Sequence, residues 1–395
     1  MSDIAAPPRV HHPGLVMFAL AMGGFAIGTT EFATMSLLPY FAKGLGIDEP
    51  TAGHVISAYA LGVVIGAPLM AVIGARIARR TQLFALMALF ALGNGLSALA
   101  PTYGWMLAFR FLSGLPHGAY FGLAALVAAS LVPANRRTTA IGRVMLGLTI
   151  ATVLGVPAAS WIGQAIGWRS GFAIVAMLAL LTMILIALFA PRDRAASNAS
   201  PLRELGALKR GQVWLTLAIG AIGFGGLFSV YAYLATTLVE VTHVSPGFVP
   251  VVLCVFGIGM TLGNVIVPWL ADRALMPTGG GLLLFSAVVL AFFPLAAPHP
   301  LWITLDVFAI GIGGSLGSVL QTRLMDVAGD AQALAAALNH SAFNTANAIG
   351  PFAGGLAIDA GLGWSSTGPV GAVLALSGLG VWAMTLWDAR RRAAL

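Results

Sequence analysis

The sequence predicts an all-α integral membrane protein with twelve transmembrane helices in two pseudo-symmetric six-helix bundles. Three observations carry this expectation. Charged residues make up 8% of the chain and hydrophobic ones 59%, whereas a soluble domain carries about 25% charged residues. Twelve apolar runs each approach the ~20 residues that a helix needs to cross a ~30 Å hydrocarbon layer. One polar stretch, 191–212, separates six of these runs from the other six.

The runs fall near 15–41, 51–75, 82–100, 104–131, 138–164, 168–190, 213–238, 247–270, 280–297, 301–325, 333–357 and 367–387. This gives an N-terminal tail (1–13), a first bundle (14–190), a linker (191–212), a second bundle (213–388) and a short tail (389–395). No cleavable leader is expected, because the first apolar run is too long for a signal h-region. His11 and His12 read as part of a solvated tail. A shift of 197 residues places Gly62 on Gly259, Gly66 on Gly263, Arg76 on Arg273, Trp105 on Trp302 and Gly114 on Gly311. Parallel repeats of this kind occur in transporters.

Orientation follows from the basic residues. Arg9, Arg76, Arg79, Arg80, Arg136, Arg137, Arg143, Arg192, Arg194, Arg203, Lys209, Arg210, Arg273, Arg323, Arg390, Arg391 and Arg392 fall on one face, 17 of the 20. Lys43 and Arg169 fall on the other, and Arg110 lies inside a span. Both termini are therefore expected in the cytoplasm. The same distribution reads the formal charge of +7 as a topology signal, so no nucleic-acid partner is expected.

Several chemistries lack their residues. Neither lysine sits in a phosphate-binding loop motif, so nucleotide-driven work has no basis here. The single cysteine, Cys254, excludes an internal disulfide and a cysteine metal site. No metal site and no cofactor is expected. No Ser/His/Asp arrangement supports an enzyme. The Asn198-Ala-Ser200 sequon falls on the cytoplasmic side, where it has no meaning.

Glu31 is the informative residue. It sits inside the first span, where an ionised carboxylate costs roughly 2.5 kcal/mol or more. Such a group faces a watery cavity, pairs with a cation or carries a proton, and each option points to transport. Arg110 in the fourth span lies at a comparable depth, at ~1.5 Å per residue. A neighbouring guanidinium would favour the carboxylate, while burial would favour the neutral acid. The pair reads either as a proton-coupling site or as a fixed structural ion pair. The residues one repeat later, Phe228 and Val307, are uncharged, which places the proton chemistry in the first half. His117, seven residues after Arg110 on the same helical face and beside Pro116, reads as a proton relay or substrate hydrogen-bond partner, or as a packing residue.

The eleventh span carries His340, Asn344 and Asn347 at i, i+4 and i+7, with Asn339, Ser341 and Thr345 beside them. This stripe reads as cavity lining or as interhelical glue. Thr30, Tyr59, Tyr120, Phe228 and Tyr231 complete the candidate substrate contacts, with ordinary packing as the alternative for each aromatic. Asp306 lies near a span end and reads as solvated or as a second ion site.

These residues resemble the major facilitator superfamily over essentially the whole chain. More narrowly, the chain is similar to twelve-span drug/proton antiporters of the arabinose- and sugar-efflux permease group. The first-span elements are Ala26-Ile27-Gly28-Thr29-Thr30-Glu31-Phe32 and Leu37-Leu38-Pro39, and the fourth-span motif is Arg110, Gly114 and Gly118. The fifth-span antiporter motif is matched in part by Gly155, Pro157 and Gly163. A G-P-x-x-G-G run from Gly350 through Pro351 to Gly355 lies in the eleventh span. The loop motif after the second span keeps Arg76, Arg79 and Arg80 but has Ala75 where an Asp is usual. Its repeat copy, Asp272-Arg273, keeps the acid. The resemblance implies gating roles for these motif residues. It also implies a monomer in the bacterial inner membrane, contacting lipid, that exports small amphipathic compounds (drug or sugar-like solutes) in exchange for protons by alternating access, driven by the proton gradient. A proton-coupled importer or an uncoupled facilitator would share the architecture.

Overall fold

Proline decides where several of these helices begin and where one of them stops. The structure, a computed structural model, describes residues 12–192 and 200–393. Arg9, His11, Arg194 and the sequon residue Asn198 lie outside the described residues. Pro13 and Pro300 open their helices in the first turn, where a missing N–H costs nothing. The first run, expected as one span over 15–41, instead ends at Ser36 and resumes as a short helix, Leu38–Leu45. Pro39 explains the break, since its ring opposes the carbonyl one turn back.

Among the described residues the long helical segments are α1 (Pro13–Ser36), α2 (Glu49–Ile73), α3 (Arg79–Ala98), α4 (Tyr103–Ser130), α5 (Ala134–Ile166) and α6 (Trp168–Phe189). The second half has α7 (Gly211–Glu240), α8 (Val249–Ala271), α9 (Leu275–Ala296), α10 (Pro300–Val327), α11 (Gln332–Ala357) and α12 (Thr367–Ala393). All but α11 are both long and apolar enough to cross a membrane. At 26 residues α11 has the length; its stripe of Asn, His, Ser and Thr lowers its hydropathy. α4 is interrupted at Leu115 and Pro116, and α5 and α7 each contain one wider π turn, at Ala151–Gly155 and Ile219–Gly223.

The two halves pack alike. In the first, α1 lies on α5, α2 on α4 and α3 on α6; in the second, α7 lies on α11, α8 on α10 and α9 on α12. Glycine enforces the match in detail. A Cβ at Gly62 would strike the Phe111 carbonyl, and one at Gly259 would strike that of Phe308. Gly66 faces Leu115 as Gly263 faces Ile312, and Gly114 faces Tyr59 as Gly311 faces Phe256. Each of these partners is also offset by 197 residues. The repeat is therefore a repeat of backbone-to-backbone contacts, which only small residues permit. Gly62→Val is expected to lower stability by about 1–3 kcal/mol, because the added atoms meet backbone that cannot rotate away. Thermal unfolding in detergent checks this, with Gly53→Val, where a Cβ meets nothing within 4 Å, as control.

The bundles meet along α5–α8, α2–α11 and α4–α11. This seam occupies the end of the molecule where the linker runs, and small residues line it. Ala67, Ala71, Ala335 and Ala337 are buried there, Gly142 meets Pro268, and Gly118 and Gly122 meet Ala337. The linker end is closed.

Candidate functional site

Toward the opposite end the bundles part around a cavity of about 390 Å³. Its wall comes from α1 (Met35), α2 (Ile56, Ser57, Ala60), α7 (Phe228, Tyr231, Ala232) and α11 (Asn344, Asn347, Ala348, Pro351). Four of the expected substrate contacts, Phe228, Tyr231, Asn344 and Asn347, are among these residues. Pro351 shapes the polar wall. Lacking an N–H, it leaves the Asn347 carbonyl, one turn earlier, without its helical donor. The Pro351 carbonyl itself accepts from the Tyr233 hydroxyl at 2.9 Å.

The other candidates lie deeper. Glu31 is buried at 6% exposure and does not line the cavity, but Met35, one turn further along the same helix, does. The ring of Phe32 packs edge-on against Tyr231 of the facing bundle, at 6.2 Å between centroids. Arg110 is buried at 1% exposure, and its partners are neutral. Its Nη1 donates to Thr30 Oγ1 (3.0 Å), Asn94 Oδ1 (3.3 Å) and Ser113 Oγ (3.4 Å). Thr30 in turn donates to Asn94 Oδ1 at 2.8 Å. The guanidinium carbon stands 4.4 Å from the centre of the Tyr59 ring, a cation–π contact in a desolvated place.

This corrects the expected geometry of the central pair. No ion pair within 4 Å joins Glu31 to Arg110, so the two do not touch. Glu31 Oε2 and Arg110 Nε are both buried without a hydrogen-bond partner. The Thr30 hydroxyl is committed to Arg110 and Asn94, and is not offered to the cavity.

Tyr59 carries the arrangement onward. Its hydroxyl lies 2.9 Å from His117 Nδ1, and the His117 ring is 5.2 Å from that of His340 across the seam. Phe121 stacks on His340 at 4.4 Å. His117 Nε2 and both His340 nitrogens are buried without partners. Tyr59 and His340 therefore belong to this buried row and not to the cavity wall. Tyr120 belongs to neither: its hydroxyl donates to the Leu20 carbonyl at 2.8 Å, inside the first bundle's core. Asp306 is also buried, at 7% exposure, with one oxygen unpartnered, so it is not a solvated span end.

Most of the motif residues pack inside their own bundle, and Asp272 reaches across the seam. Gly155 lies against Thr29 and ends the π turn of α5, and Pro157 follows that turn, which absorbs the missing N–H. Gly350 lies against the Gly225 carbonyl of α7. Asp272, at the end of α8, accepts from the Thr138 and Thr139 amides of α5 at 2.7 and 3.0 Å. Arg273 stacks on Trp269 and donates to its carbonyl at 3.0 Å. Arg76 is exposed after α2, and Arg79 and Arg80 open α3, where Arg80 reaches the Ala187 carbonyl of α6. Sequence reasoning missed Asn94, Ser113, Met35 and Ser57. Asn94, an amide inside an apolar span, was a visible signal.

A six-plus-six repeat, a closed seam at one end and a polar-walled cavity at the other recur in a known fold. The profile of the Major Facilitator Superfamily matches residues 20–333. The chain belongs to the major facilitator superfamily. This transporter is 40% identical over 368 residues to the inner membrane transport protein YdhP of Escherichia coli (strain K12), covering 93% of this chain and 94% of that protein. It is 32% identical over 345 residues to a chloramphenicol resistance protein of Streptomyces lividans, covering 85% of this chain and 87% of that one. Among solved structures, the superfamily transporter FucP in the outward conformation superposes with a TM-score of 0.76 at 14% identity, over 95% of this chain and 99% of FucP. The chain is accordingly a multi-pass membrane transporter, and not an enzyme.

Proposed function

We propose that this transporter exports small amphipathic compounds, drug or sugar-like, in exchange for protons, by alternating access. It works as a monomer in the bacterial inner membrane, with both termini and the linker in the cytoplasm, so the cavity described above faces outward. The observation that carries this reading is the unpartnered Glu31 carboxyl one turn below the cavity wall. A buried acid with a free oxygen is suited to receive a proton from the cavity as substrate leaves. When the linker end opens, the row Arg110–Tyr59–His117–His340 is split at the seam, which changes the surroundings of Glu31. Similarity to the chloramphenicol resistance protein supports export of a drug-sized solute, and the Phe228, Tyr231 and Asn347 wall suits a molecule with one apolar and one polar side.

The test is flux in reconstituted vesicles with and without an imposed pH gradient. Accumulation against a substrate gradient only when protons run the opposite way supports exchange. Flux indifferent to the gradient makes the protein a facilitator, and accumulation in the same direction as the protons makes it an importer.

A further inference from the structure

We propose that Glu204, in the linker, is a positioning residue for alternation: it supplies to α11 the helix-end acceptor that Ala75 does not carry, and so holds the linker end shut. The starting point is Asp272. Its carboxylate satisfies the second and third amides of the helix Arg137–Ile150, which has no side-chain cap of its own. One oxygen also accepts from the Thr139 hydroxyl. Asp272 belongs to the second bundle and the helix to the first, so this cap spans the seam and exists only while the linker end is closed.

In the internal repeat, the counterpart of this cap falls at the start of α11. Shifting Asp272 back by 197 residues gives Ala75, which has no acceptor. The corresponding helix start, that of α11, likewise has no cap of its own. Its third amide, Leu334 N–H, nevertheless has a partner: Glu204 Oε2 at 2.9 Å. The third amide of the helix is thus served by a carboxylate in both bundles. Glu204 ends a short helix, Pro201–Glu204, which Ser200 caps and which packs directly on Gly74–Arg76, the segment holding Ala75. The replacement acceptor therefore arrives through the space beside the residue that lost it.

The oxygen matters more than its charge. Burial pushes the Glu204 carboxyl above the ordinary carboxylate range, against the pull of the Leu334 and Ala333 amides and of Arg203 and Arg79. The Arg203–Asp330 pair nearby is solvent-exposed and contributes little by itself. A neutral amide that keeps an acceptor oxygen should therefore keep the latch.

The inference rests on the alternating-access reading, and the test separates the two. Spin labels at Asn135→Cys and Arg390→Cys, both exposed positions at the linker end of opposite bundles, in the full chain with Cys254→Ser, report the open-to-closed ratio by distance. Glu204→Ala is expected to raise that ratio about fivefold, the value of a typical helix cap. Glu204→Gln should stay near the wild type, and Ala75→Asp should restore closure in the Glu204→Ala background. Ala75→Asp alone, which adds an acceptor and removes none, should shift the ratio toward closed, so the idea stays testable if Glu204→Ala does not fold. An unchanged ratio in Glu204→Ala, equal opening in Glu204→Gln, or no effect of Ala75→Asp overturns the latch. Asp272→Ala is the control: if it opens the end while Glu204→Ala does not, only the latch fails, and if neither moves, alternation fails with it.

Discussion

Glu31→Gln should bind substrate and exchange it across the membrane but should no longer concentrate it against a gradient. One proton moving down a gradient of one pH unit supplies about 1.4 kcal/mol, enough for about tenfold accumulation of an exchanged solute. The glutamine keeps the size and an acceptor oxygen but cannot take up that proton, so the accumulation ratio should fall to one. Because Glu31 lies one turn below the cavity and not in its wall, affinity for substrate should change little. Proton release into weakly buffered solution on adding substrate should vanish in parallel. Release that persists in Glu31→Gln would move the proton site elsewhere, with buried Asp306 as the first place to look.

Arg110 offers the second large effect, and it distinguishes a working residue from a structural one. Its donors go to neutral oxygens on Thr30, Asn94 and Ser113, and Asn94 Oδ1 is separately satisfied by Thr30. Replacing a buried charge with an apolar side chain of similar volume is often neutral or stabilising, because the desolvation cost disappears. Arg110→Met is therefore expected to lose transport while keeping stability within about 1 kcal/mol of the wild type. Arg110→Lys should do worse on stability, by about 2–4 kcal/mol, since a compact ammonium cannot reach the same oxygens and stack on Tyr59 together. Thermal unfolding and vesicle flux on the three proteins decide the matter. A Met variant that unfolds early yet transports normally would make Arg110 a scaffold residue.

The spans and the repeat were legible in the sequence because both rest on local properties. Apolar runs announce their own length, and glycines at equal depth mark close helix crossings whatever surrounds them. The shared surroundings of Arg110 and His117 could also be read, since their spacing puts both beside Tyr59. Helix spacing says which residues share a face but not what that face meets. Tyr120 and Tyr231 looked equivalent for that reason, yet one points into its own bundle and the other into the cavity. Glu31 and Arg110 are neighbours without direct contact for a related reason: equal depth does not fix rotation about the helix axis, and Asn94 on a third helix meets the guanidinium instead. Glu204 gave no signal at all, since a linker acid becomes meaningful only once folding brings it to the start of α11.

Beside the Phe121–His340 stack, the seam between the bundles is lined by small residues. Where α4 meets α11, the facing surfaces are Gly118 and Gly122 against Ala336 and Ala337, and a Cβ at Gly122 would come within 2.6 Å of the Ala337 backbone nitrogen. Small-residue surfaces of this kind can separate and rejoin without sorting rotamers. They also tolerate no shim. Gly122→Ala should act as a wedge of one methyl group, holding the linker end ajar and enriching the inward-facing form for structural work.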